Sequence, residues 1–144
     1  VASQQELDQC YMAVAEAHAK LSKGVRAKVG AALVTQKEVI LAGYNGLAPE
    51  GSNILEHVNE EGFFVTKEEV IHAEINCILK AAKEGVSVVG GTLYITLSPC
   101  LSCAEMIKAA GIKRVVYRDQ YRCKKGIYSL IEYGIQCNKL EEMI

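Results

Sequence analysis

The 144-residue sequence predicts an α/β fold, a three-layer α/β/α sandwich around a mixed five-stranded sheet. Three observations carry this expectation. After residue 71, short β-rich runs alternate with segments of helical period, the pattern of parallel strands joined by right-handed crossovers. Before it, two apolar β-rich runs flank Gln36-Lys37 and read as an antiparallel hairpin. Half of the residues are apolar (50%), enough to bury one core in a single domain spanning residues 1–144.

The elements follow in order. Residues from about 4 to 22 place Leu7, Tyr11, Val14, Ala15, His18 and Leu21 at helical spacing, and Ser22-Lys23-Gly24 closes that helix. Strands Val29 to Thr35 and Glu38 to Tyr44 form the hairpin. From Asn45 to Thr66 the chain is rich in turn formers (Gly46, Pro49, Gly51, Asn53) without sustained periodicity, so it is the segment expected to move most. Then come helix Ile71 to Glu84, strand Thr92 to Leu97, helix Cys100 to Ala110, strand Arg114 to Tyr117, helix Lys125 to Tyr133 and a short strand Ile135 to Cys137. No repeat or low-complexity tract interrupts the plan.

Charge and composition narrow the function classes. Lys and Arg number 16 against 17 Asp and Glu, a net charge of −1, which argues against a general nucleic-acid binder. No apolar stretch approaches the length of a membrane span and no leader or transit segment is evident, so a cytoplasmic enzyme without nucleic-acid or membrane partners is expected. Cys10, Cys77, Cys123 and Cys137 lack the spacing of a disulfide framework and read as buried reduced thiols. Between Lys113 and Lys125 lie Lys113, Arg114, Arg118, Arg122, Lys124 and Lys125, opposed only by Asp119 and interleaved with Tyr117 and Tyr121. They form either an ordinary solvated surface or the cations that hold a nucleotide phosphate.

Two short stretches carry the chemistry. His72-Ala73-Glu74 and Pro99-Cys100-Leu101-Ser102-Cys103 spell the H-x-E and P-C-x-x-C signature of a zinc nucleobase deaminase. One His and two Cys supply three ligands for a tetrahedral zinc and leave a fourth position for water, which is a catalytic rather than a structural arrangement. Bound zinc brings the pKa of its water down to about 7, and a carboxylate such as Glu74 can relay the proton. Cys100 and Cys103, three apart, share a face in the first turn of a helix, where free amides and the helix dipole stabilise thiolates. Pro99 is tolerated there because the first helical amides have no intrahelical partner. His72 and Glu74, two apart, reach one site most easily where the backbone is entering its helix. A lone HAE also fits a solvated pair at a helix start, and a lone CxxC also fits a redox dithiol, half of a structural zinc site or two buried cysteines. Their order, each opening a helix, is what carries the reading.

The series Val29-Gly30-Ala31, Gly43-Tyr44-Asn45-Gly46, His72-Ala73-Glu74, Thr92 to Thr96, Pro99 to Ala104 and Ala110 to Tyr117 resembles the deoxycytidylate (dCMP) deaminases, within the cytidine deaminase-like superfamily. It covers roughly residues 5 to 140. The zinc motif is shared across the superfamily and bears on reaction type. The subfamily rests on GYNG, with support from GIKRVVY and the tyrosine beyond it. The resemblance implies hydrolysis of dCMP to dUMP and ammonia, feeding thymidylate synthesis, with one zinc on His72, Cys100 and Cys103 activating water against C4 of the cytosine. Glu74 would take the water proton, protonate N3 and deliver a proton to the leaving amine. By the same analogy the Ala73 amide binds the base carbonyl and the Ser98 carbonyl accepts from the amine. Asn45 is the candidate sugar or phosphate contact, with Arg26, Lys28, Tyr117, Arg118, Tyr121 and Arg122 around the nucleotide. Similar proteins are homohexamers activated by dCTP and inhibited by dTTP, which implies an allosteric site at Gly43, Tyr44, Asn45 and Gly46 and Mg2+ accompanying the triphosphate. Some carry a second, structural zinc on cysteines before HAE. This chain has only His57 there, so one zinc per subunit is expected.

Two other functions fit parts of the sequence. A tRNA adenosine deaminase shares the motif but would be expected to present a basic face. An inactive, zinc-stabilised regulatory module would have no use for Glu74.

Overall fold

Ser3 opens the first helix through a capping box: its hydroxyl accepts from the Glu6 amide while the Glu6 carboxylate accepts from the Ser3 amide. The computed structural model describes residues 1–49 and 51–141. In chain order they form α1 (Gln4–Ala19), β1 (Gly30–Val34), β2 (Ile40–Tyr44), β3 (Glu56–Val58), β4 (Phe64–Thr66), α2 (Ala73–Glu84), β5 (Thr92–Leu97), α3 (Leu101–Ala110), β6 (Arg114–Asp119), α4 (Lys125–Tyr133) and β7 (Gln136–Lys139). A mixed five-stranded sheet runs β2-β1-β5-β6-β7, antiparallel across β2, β1 and β5 and parallel across β5, β6 and β7. This is the expected sandwich.

Strand alternation sorts the core into two layers. On one face Leu33, Leu93, Ile95, Val115 and Tyr117 pack with Cys77 and Ala81 of α2, Ala104 and Ile107 of α3, and Ile127 and Leu130 of α4. On the other, Ala32, Val34, Tyr94 and Val116 meet Met12 and Ala15 of α1. Gly30 sets how close α1 comes, since a Cβ there would lie 1.9 Å from the Ala15 carbonyl oxygen. The helices α2 and α3 stop at Gly85 (φ 70°) and Gly111 (φ 85°), both left-handed.

Several boundaries differ from expectation for visible reasons. Helix α1 ends at Ala19, and its buried side is Asp8, Met12 and Ala15, while Leu21 lies exposed. Arg114 donates to both carboxylate oxygens of the buried Asp8 at 2.8 and 2.7 Å, and Tyr11 and Val14 pack half-buried beside Met12 and Ala15. Glu38 belongs to the hairpin turn rather than β2, with φ 64° and its amide bonded to the Thr35 carbonyl. Strand β6 runs on through Arg118 and Asp119, and β7 begins one residue later than expected. Cys77 and Cys137 are buried, but Cys10 is exposed and Cys123 half-buried, because Cys10 falls on the solvent side of α1.

The turn-rich stretch contains an unforeseen second sheet. Strands β3 and β4 pair antiparallel, Glu56 opposite Thr66 and Val58 opposite Phe64. The Asn59 side chain accepts from the Glu61 and Phe63 amides and Gly62 takes φ 84°, so Asn59 to Gly62 is a side-chain-capped turn. No helix among the described residues is long and apolar enough to cross a membrane.

Candidate active site

Parallel strands β5 and β6 both end at the same edge of the sheet, the side on which open α/β sheets bind ligands. Because β1 is antiparallel to β5, the chain entering β1 and the chain leaving β2 converge on that edge as well. A cavity of about 360 Å3 lies there, lined from the chain entering β1, the end of β2, Thr66 of β4, the start of α2, the end of β5 with Cys100, and residues 120–122. It is within the range of small-molecule sites, about 300–1,000 Å3.

His72 and Cys100 each occupy the N-cap position of a helix, His72 for α2 with ψ 154° and Cys100 for α3 with ψ 170°. Both caps are extended, with His72 exposed and Cys100 half-buried, while Cys103 and Glu74 follow, buried, within the first turns. His72 Nδ1 lies 3.1 Å from Cys103 Sγ and 3.7 Å from Cys100 Sγ. The ligand atoms of His72, Cys100 and Cys103 all fall within 4.8 Å of one another. One imidazole and two thiols at two helix starts form a donor set that fits zinc.

Electrostatics at this cluster are strongly perturbed. Hydrogen bonds from Cys103 and then His72 pull the Cys100 thiol down to about 3, and the same bond with Cys100, reinforced by burial, pushes Cys103 up. The bond to Cys100 raises His72 against the effect of burial. Glu74 is 3% exposed, and burial pushes its carboxyl up to about 7, with its own backbone amide and His72 opposing. A carboxyl that titrates near neutrality can both take and return protons.

The supports around the cluster are specific. Gly46 and Ile71 form an isolated antiparallel bridge immediately before His72. Asn76 Nδ2 donates to the Tyr44 carbonyl at 2.7 Å, tying α2 to the end of β2. A Cβ on Gly43 would stand 3.1 Å from the Ala73 carbonyl oxygen and 3.3 Å from Cys77 Sγ, so this glycine sets the approach of the first turn of α2. Gly126 does the same for α3: a Cβ there would lie 2.1 Å from the Pro99 carbonyl oxygen.

Of the residues singled out in the sequence, Arg26, Asn45, His72, Ala73, Glu74, Ser98, Cys100, Tyr121 and Arg122 line the cavity. Asn45 has its amide engaged, Oδ1 accepting from the Val29 amide at 2.9 Å and Nδ2 donating to the Ala27 carbonyl at 3.0 Å. The Ser98 side chain adds a role beyond its carbonyl, since Oγ accepts from the Tyr121 amide at 2.6 Å and holds the 119–122 loop. Lys28, Tyr117 and Arg118 are outside the lining. Tyr117 points into the helix-covered core, and strand parity sends Arg118 to the α1 face, where it pairs with Glu16 and Asp119, both at 2.9 Å. Tyr44 and Gly46 border a separate crevice of about 140 Å3 with Lys23 and residues 47–49. Thr66, Val70 and Gln120 also line the main cavity and were not anticipated. The Asn59–Gly62 turn between β-rich residues was the available signal for the hairpin that brings Thr66 there.

A His-Cys-Cys donor set beside a buried glutamate, at two helix starts on one sheet edge, defines a zinc-type hydrolytic deaminase site. The family model for the cytidine and deoxycytidylate deaminase zinc-binding region matches residues 5–119, and the chain belongs to that family. Deoxycytidylate deaminase of Mycobacterium phage D29 is 36% identical over 126 residues, covering 80% of this chain and 96% of that protein. ComE operon protein 2 of Bacillus subtilis is 35% identical over 143 residues, 95% of this chain and 74% of its own length. The crystal structure of dCMP deaminase from the cyanophage S-TIM5 in complex with dCMP and dUMP superposes with a TM-score of 0.86 at 38% identity, covering 96% of this chain and 99% of that one.

Proposed function

We propose that this chain hydrolyses dCMP to dUMP and ammonia. The observation that carries the reading is the His72, Cys100 and Cys103 cluster, which opens through His72, Cys100 and Glu74 onto a cavity whose exposed lining includes Arg26 and Arg122. The chemistry of those groups matches a cytosine ring at the buried end and a phosphate at the solvent end. The likeness to a structure described with dCMP and dUMP supports it.

His72, Cys100 and Cys103 would hold one zinc, which when bound supplies an activated water. The chain's own residues do the rest. Glu74 takes a proton from the attacking water and places it on N3 as the C4–O bond forms, then takes the remaining proton of the new C4 hydroxyl and hands it to the amine as the C4–N bond breaks and the C4 carbonyl forms. The Ala73 amide donates to the base carbonyl and the Ser98 carbonyl accepts from the amine, both from the cavity wall. Arg26, Tyr121 and Arg122 face the nucleotide, and Asn45 acts by holding residues 27–29 in place.

The finer reading extends to control. We place the enzyme in the cytoplasm, where its site thiols stay reduced, as a homohexamer activated by dCTP and inhibited by dTTP, with Mg2+ accompanying the triphosphate at Gly43 to Gly46. Deamination assays with dCMP, deoxycytidine, dCTP and an adenosine-containing tRNA stem-loop test the substrate. Preferred turnover of dCMP is expected, and a preference for the stem-loop would overturn the reading.

A further inference from the structure

The loop from Gly24 to Lys28 forms one wall of the cavity with almost no apolar anchoring. Val25 is 75% exposed, and Arg26, Ala27 and Lys28 are exposed as well. Polar clamps hold it instead. Ser22 Oγ accepts from the Gly24 amide and Asn45 Nδ2 binds the Ala27 carbonyl. Between them, Glu56 Oε2 accepts from two consecutive amides, Val25 at 2.7 Å and Arg26 at 3.0 Å.

Glu56 is 6% exposed and, among the described residues, has no cationic side chain within salt-bridge reach. A buried carboxylate oxygen that grips two successive N–H groups fixes the backbone from which the next side chain departs. That side chain is Arg26. Its guanidinium lies 3.5 Å from the hydroxyl of Thr66, the β4 residue paired with Glu56. Arg26 itself has no acidic partner among the described residues. The hairpin thus reaches the site through one carboxylate.

We propose that Glu56 is a positioning residue that holds Arg26 at the cavity mouth for the phosphate of the nucleotide. This rests on the dCMP reading and adds to it the residue that orients the phosphate contact.

Kinetics of Glu56→Ala, Glu56→Gln, Arg26→Ala and the Glu56→Ala/Arg26→Ala double variant test it. Glu56→Ala is expected to raise KM for dCMP about tenfold, the loss of one charge-assisted contact, with kcat and zinc content within about twofold. Glu56→Gln keeps an accepting oxygen and should recover most of the loss. In the Arg26→Ala background, removing Glu56 should add less than about twofold, because residues acting through one contact are not additive. Unchanged KM in Glu56→Ala, or additive effects in the double variant, would overturn the proposal. Amide exchange on the wild-type chain keeps the test independent of variant folding and of the substrate: Val25 and Arg26 should exchange slowly, and rapid exchange there overturns the clamp. A wild-type chain that ignores dCMP while both amides stay protected would defeat the functional reading and not the clamp.

Discussion

Gly46 and Ile71 exchange both backbone hydrogen bonds, the Gly46 amide donating at 3.1 Å and the Ile71 amide at 2.8 Å. The GYNG segment is therefore joined to the residue that precedes His72. A ligand that shifted residues 43–46 would act on the first turn of α2 directly, through the bridge and through Asn76.

The two glycines of that segment should respond differently to substitution. Gly43→Ala pushes on Ala73 and Cys77, with contacts of 3.1 and 3.3 Å, and should lower activity severalfold by displacing the start of α2. Gly46 meets only the Tyr44 ring, at 3.8 Å, so Gly46→Ala should change stability by less than about 1 kcal/mol. If the segment binds an effector, Gly46→Ala should blunt the dCTP-induced shift of the dCMP midpoint while the unactivated curve stays near wild type. Thermal unfolding and effector titrations, with light scattering for the assembly, check both.

Glu74→Gln should retain about one zinc per chain while kcat falls by about a hundredfold or more, since the amide cannot relay protons. His72→Ala and Cys100→Ala should lose metal together with activity, because three protein ligands already form the minimum for such a site. Elemental analysis beside steady-state kinetics separates the two behaviours. Substantial activity in Glu74→Gln would remove its assigned role.

Ser98→Ala deletes the acceptor of the Tyr121 amide. Leaving that N–H without its partner should cost about 1–3 kcal/mol of stability. It should also raise KM for dCMP more than it lowers kcat, as the loop carrying Tyr121 and Arg122 loosens while the cysteines stay in place. Urea denaturation and saturation kinetics on the same preparation read both effects.

The Asp8–Arg114–Tyr94 network predicts an acid-sensitive clamp between α1 and the sheet. Burial raises the Asp8 carboxyl, but bonds from Arg114, Tyr94 and Gln4 outweigh it and leave it below its ordinary 3.8. A depressed native value stabilises the fold above the unfolded value, near about 3.9, and that stabilisation is lost as pH falls through the native value. Asp8→Asn should thus lower the urea midpoint at pH 7 and make progressively less difference below about pH 4. A difference that persists undiminished at pH 3 would assign the effect to packing.

By itself the sequence determined the order of the helices and of the five main-sheet strands, the mixed sheet and the chemical cluster, but not the β3–β4 hairpin. His72, Glu74, Cys100 and Cys103 were legible because their types and spacing are dictated by metal and proton chemistry, and because each pair opens a helix. Local periodicity likewise marked the hairpin and the parallel strands. Only the tertiary structure decided which neighbours of the cluster face the cavity. Arg26 and Arg122 do, whereas Arg118 is turned to α1 by strand parity and its pairing with Glu16. Glu56, Asn76, Gly126 and the side-chain role of Ser98 were invisible for one reason: each acts on backbone groups far along the chain, and spacing in sequence carries no record of such contacts. The burial of Asp8 on α1 belongs with them, since its partner Arg114 lies 106 residues away.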